Sequence, residues 1–94
     1  MAILRVYKYP LEFSGRSYCY FEAPKGARFL KLALQDGKET IWMMVDPEAE
    51  DVEYNVMYSG TGWRLSSDID SWQYLDTLFP PGGTVWHYFL KSPK

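Results

Sequence analysis

The feature that most constrains this chain is a short-period alternation of apolar and polar residues. It restarts roughly every ten residues behind a turn signal, and helical spacing is almost absent. "ILRVYKY" sets Leu4 and Val6 on one face with Arg5 and Lys8 among the polar neighbours. "SYCYFEA" sets Tyr18 and Tyr20 against Cys19 and Phe21, and "ARFLKLALQ" sets Leu30, Leu32 and Leu34 against Lys31, Ala33 and Gln35. In "ETIWMMVD", Ile41, Met43 and Val45 share one face while Trp42 and Met44 occupy the other. A strand apolar on both faces is either central to its sheet or covered by a partner. "VEYNVMY" is the cleanest run, with Val52, Tyr54, Val56 and Tyr58 on one side. "WQYLDTLF" and "TVWHYFL" close the chain. Seven short strands joined by turns predict an all-β fold, an antiparallel sandwich or small barrel, spanning residues 1–94 as a single domain.

The connections are equally explicit. Asp36–Gly37 is the strongest hairpin signal, because a two-residue turn between twisted strands needs φ > 0. "PKGA" and "PPGG" are further turns, in which proline fixes φ and glycine accepts positive values. "LSSDIDS" reads as a loop with one helical turn capped by Ser66 or Ser67. The stretch from Gly37 to Trp63 reads as a two-strand hairpin whose acidic elbow, Asp46 to Glu53, faces solvent and whose far end turns at Gly60 and Gly62.

Composition narrows the function. A chain of 94 residues cannot bury its seventeen aromatic rings completely, so some are expected at the surface, where Tyr and Trp favour contacts. A net charge of −2 argues against a general nucleic-acid binder. Residues 1–38 nevertheless hold seven Lys/Arg against three acids, and residues 39–94 hold three against nine. If those halves form different surfaces, the molecule is electrically two-sided. The single cysteine, Cys19, forbids an internal disulfide and fits a reducing cytoplasm. No apolar run is long enough for a membrane helix, and the N-terminus lacks signal-peptide features.

The chemistry-bearing residues do not assemble into a catalytic signature. The acidic elbow has carboxylates for a hard cation, but Asp51 stands where a calcium loop needs glycine, so it reads as a solvated connection. His87, the only histidine, has no nucleophile or orienting carboxylate at a telling spacing, and one Cys with one His cannot make a zinc site. "GTGWRL" lacks the third glycine and the helix of a phosphate-binding loop; its glycines read as conformational. Trp63 and Arg64 at that corner are the residue types that dominate interface energies. Trp63 thus has two readings, a contact residue or a ring folded back onto the core.

The segments "VYKY", "PKGA", "QDGK", "IWMMVDPEAE", "YSGTG" and "GGTVWHYF" together resemble an uncharacterised family of short phage and bacterial proteins, over almost the whole chain. The resemblance implies an all-β phage-associated protein and brings no known activity. The chain departs from the family pattern at Trp63, where a histidine often follows the G-T-G, and at Leu75–Asp76.

The expected function is that of a small non-enzymatic accessory protein of phage type, acting in the host cytoplasm without cofactor or metal. It would bind a host protein, for example occluding an antiviral defence factor such as a CRISPR effector or nuclease. Trp63, Arg64, Trp42 and Tyr58 are the candidate partner-binding residues. The alternatives are an oligomeric sponge for a nucleotide signal, with aromatics that stack bases, and a virion or assembly component that associates by edge strands.

Overall fold

Asp36 and Gly37 have φ of +52° and +79°, the left-handed pair that a tight hairpin between twisted strands requires. They join β3 (Arg28–Gln35) to β4 (Lys38–Val45) in a computed structural model that describes residues 3–93. The other strands are β1 (Arg5–Pro10), β2 (Tyr18–Pro24), β5 (Asp51–Gly60), β6 (Gln73–Leu78) and β7 (Trp86–Lys91). They form two antiparallel sheets, a three-stranded one ordered β1-β4-β3 and a four-stranded one ordered β2-β5-β7-β6. β4, apolar on both faces, is the central strand of its sheet.

The sandwich is closed by the alternation itself. Ile41, Met43 and Val45 of β4, Tyr54 and Val56 of β5, Phe21 and Ala23 of β2, and Tyr88 and Leu90 of β7 are all buried between the sheets. Each sheet has one apolar face, and the two faces cover each other. This geometry overturns the expected β4–β5 hairpin. Side by side, those strands would present their apolar faces on one side of a single sheet. Instead the Asp46–Glu50 elbow carries the chain from one sheet to the other. Its crossing is fixed by Ala49 N–H donating to the Asp46 carbonyl (3.1 Å) and by Lys25 N–H donating to the Glu50 carbonyl (2.8 Å).

Two smaller expectations also change. A bulge between Phe29 and Lys31 breaks the Leu30–Leu32–Leu34 alternation: Leu32 is fully buried, while Leu30 is 47% exposed. The helical turn, a 3₁₀ turn at Ile69–Ser71, has Asp68 at its N-cap position rather than a serine, and Ser66 Oγ donates to the Asp68 carboxylate instead (2.5 Å).

Two tyrosine hydroxyls tie the layers at polar points. Tyr54 of β5 donates to the Pro24 carbonyl (2.9 Å) and accepts from Ala27 N–H (3.1 Å), fastening the β2–β3 crossover. Tyr88 of β7 donates to Glu39 of β4 (2.8 Å). Burial together with this carboxylate pushes the Tyr88 hydroxyl well above the ordinary tyrosine range. Burial also pushes the Cys19 thiol up to about 11, with the Glu39 charge adding to the effect. A thiol held protonated is a poor nucleophile. The folded protein is therefore expected to react with a disulfide reagent at pH 8 far more slowly than the unfolded chain. Because the Cys19 thiol is raised, its contribution is intact below the ordinary thiol value of 9.0 and is lost as pH climbs through about 11, while that of Tyr88 is lost at higher pH still. A pH series of urea midpoints should fall across that window. Rapid stoichiometric labelling of native protein would remove Cys19 from the core.

Candidate functional site

At the end of β5 the chain must turn out of the sheet, and Gly60-Thr61-Gly62-Trp63 makes that turn. Trp63 N–H donates to the Gly60 carbonyl (3.0 Å), and Gly62 adopts φ +86°, which an L side chain would strain to reach. Gly60 has a different constraint, that of space. A Cβ there would lie 2.8 Å from Trp63 Cε2 and Nε1, so the indole lies directly over the bare backbone.

The Trp63 ring is also braced from the side. Trp86, paired with Gly60 across the β5–β7 ladder, meets it edge-on at 5.2 Å and 75°. Trp86 in turn rests on Tyr58 at 4.6 Å, and Tyr58 packs on Phe13 and Tyr88 at 5.0 and 5.7 Å. An aromatic chain thus runs from the core to the corner. Each such pair adds about 0.5–1.5 kcal/mol beyond area burial. The ring is anchored on the core's aromatic chain, yet Trp63 remains 54% exposed.

Trp63 stands between two depressions of about 240 Å³ each. Leu65, His87 and Phe89 line one, and Gly83, Thr84 and Val85 the other. Next to it, Arg64 is exposed and has no hydrogen-bond or ion-pair partner among the described residues. The loop beyond is pinned through Asp68, which accepts from Ser66 Oγ, Lys91 Nζ (3.0 Å) and Trp72 Nε1 (3.2 Å). Those donors, Ser66 first, lower the Asp68 carboxyl to about 2, so the anchor stays charged at every ordinary pH.

The four residues expected to form one contact set divide between two surfaces. Trp63, Arg64 and Tyr58 belong to the corner, where Tyr58 is half-buried as a support beneath Trp86. Trp42 lies on the outward face of the other sheet, between Lys8 and Lys31 on its neighbouring strands. Trp86 was not singled out in the sequence, although a tryptophan entering a strand behind "GGTV" could have marked it.

The structure also gives His87 neighbours that its sequence spacing hides. Its Nε2 lies 2.7 Å from Thr61 Oγ1, its Nδ1 2.9 Å from Thr77 Oγ1, and Tyr74 OH bonds to that same threonine (2.5 Å). Neutral imidazole needs one donor and one acceptor, and hydroxyls supply either, so the ring is satisfied in both tautomers. This chain of hydroxyls ties the G-T-G turn to β6. In the acidic elbow, Asp46 Oδ1 accepts from Glu48 N–H (3.0 Å). Among the described residues, no three of His, Cys, Asp and Glu converge as a metal set.

A larger open cleft, about 470 Å³, lies between the Phe13–Arg16 turn and β2. Its charged residues already have side-chain partners within the chain. Glu12 pairs with Lys38, and Arg16 lies against Tyr18. The Trp63 corner, with an unpaired guanidinium beside a braced indole, is the better-equipped surface. Among the described residues no helix is long and apolar enough to cross a membrane.

Comparison with curated proteins and with solved structures gives no match. One family profile does match, over residues 3–94, and by it the chain belongs to the DUF7352 family, a domain of unknown function.

Proposed function

We propose that this protein is a non-enzymatic binding module that grips a partner protein with the Trp63 corner. The observation that carries this reading is the half-exposed indole, fixed over Gly60 and against Trp86 before any partner arrives. A pre-ordered aromatic anchor loses little conformational freedom on binding, and Trp and Arg lead among residues that dominate interface energies. A non-enzymatic role is supported by His87, whose Nδ1 faces a threonine hydroxyl rather than a carboxylate. It therefore lacks the usual means of stabilising an imidazolium in a catalytic relay. The resemblance to short phage proteins supports a specific form of the proposal: a phage accessory protein in the host cytoplasm that sterically occludes a defence factor.

The test is affinity capture from host lysate with wild-type protein and matched variants, followed by titration of the recovered partner. Trp63→Ala is expected to weaken binding by roughly thirtyfold or more, about 2 kcal/mol, as truncation of a central anchor does. Gly60→Ala should weaken it as well, because the added methyl displaces the ring without removing it. Each variant should lose about 1–2 kcal/mol in urea unfolding, from the Trp63–Trp86 pair and the buried part of the ring, and stay folded under the binding conditions. Equal binding by Trp63→Ala and wild type would sink the proposal.

A further inference from the structure

β1 is an edge strand, with β4 on one side and no hydrogen-bonded neighbour on the other among the described residues. Its first half is open to solvent. Arg5, Val6, Tyr7 and Lys8 are all exposed, although alternation points them to opposite faces. Val6 is 57% and Tyr7 41% exposed, and Leu4 just before them 46%. An edge with open backbone groups and apolar side chains on both faces is a template for strand addition.

The charge beside it identifies what fits. By the β1–β4–β3 register, outward positions of this sheet carry Lys8, Arg28, Lys31 and Lys38, with no aspartate or glutamate among them. Among the described residues, only Lys38 of these has a carboxylate partner, Glu12. Lys8 and Lys31 flank Trp42 on either side, and Lys8 Nζ donates to Gln35 across the strand between (2.8 Å). The two-sided charge read from the sequence is thus realised on this face. It is not a clean division of halves, because β2, from the basic half, brings Glu22 to the other sheet opposite Glu53.

We infer that β1 accepts an extended acidic segment of a partner protein as a fourth strand. Its carboxylates lie on the outward face beside Lys8, and its apolar side chains lie on the inward face against Tyr7. A second copy of β1 fits less well, since it would bring the same two cations against themselves. Single-stranded nucleic acid fits less well too. It favours several exposed rings, and the outward face of this sheet carries one half-buried indole, Trp42.

This surface lies apart from the Trp63 corner, so the two proposals can fail separately. The probe is a short synthetic peptide alternating Glu with Val, compared with its Lys-for-Glu counterpart and an oligothymidylate. Binding is followed by amide shifts and by sedimentation. The acidic peptide is expected to bind, to perturb amides of Arg5–Pro10, and to weaken with added salt. The double variant Arg5→Glu/Lys8→Glu should lose about tenfold or more in affinity while Trp63→Ala loses nothing. Both replaced residues are exposed, so the variant's unfolding midpoint should match wild type. The inference is overturned by an acidic peptide that fails to bind or moves only the Trp63 corner. It is likewise overturned by preferential binding of the oligonucleotide, or by dimerisation of the protein that Lys8→Glu enhances.

Discussion

Tyr54→Ala is expected to cost about 3–5 kcal/mol in urea unfolding, and Tyr54→Phe about 1–3 kcal/mol. The two figures separate two roles of one side chain. The ring is 1% exposed and stacks on Phe21 at 5.5 Å, so its removal leaves a cavity in the centre of the sandwich. The hydroxyl bridges the Pro24 carbonyl and Ala27 N–H, the two ends of the β2–β3 crossover. Phenylalanine keeps the packing but leaves both backbone groups without that partner. A domain of this size is held by about 5–15 kcal/mol in all, so the alanine variant should be close to unfolding at physiological temperature. A phenylalanine variant as stable as wild type would show that the hydroxyl bridges nothing that matters.

Met43→Ala and Met44→Ala make the second test, because adjacent residues on β4 point to opposite faces. Met43 has no exposed surface and lies between Tyr7 and Phe29 across its two ladders. Its truncation is expected to cost about 2–5 kcal/mol. Met44, half-buried on the outward face, should cost less than about 1 kcal/mol, as a partly exposed apolar group does. Comparable losses at both positions would overturn the assignment of inner and outer faces. The contrast is informative because a register slip of one residue would exchange the two results.

All seven strands could be read from the sequence, and so could the central place of β4, because alternation records which side chains meet a core. Alternation does not record which strand lies beside which. Gly37 to Trp63 therefore reads as a hairpin, when the same apolar residues satisfy a crossing between sheets equally well. The Leu30 bulge was hidden for a related reason: an extra residue in one strand leaves composition unchanged and alters only the pairing. At the corner, "SGTGW" announced the turn that the structure makes at Gly60 to Trp63. The bracing of Trp63 by Trp86, and the meeting of His87 with Thr61 and Thr77, depend on the β5–β7 and β6–β7 ladders. Thr61 and His87 are 26 residues apart, a separation that no local pattern encodes.

The strand order has a consequence for how the chain acquires its shape. β1 pairs with β4 between Pro10↔Thr40 and Arg5↔Val45, and β2 pairs with β5 between Pro24↔Asp51 and Tyr18↔Met57. Each of the first two strands must therefore wait some thirty to forty residues for its neighbour. Only the β3–β4 and β6–β7 hairpins join strands adjacent in sequence. Loop closure must precede the reward of these distant pairings, which places the protein among slow-folding β topologies. During synthesis, β1 and β2 emerge early and stay unpaired until the middle of the chain arrives. Over that interval Arg5 and Lys8 sit on an unpaired apolar strand, and charged side chains are what keeps such strands from pairing with one another.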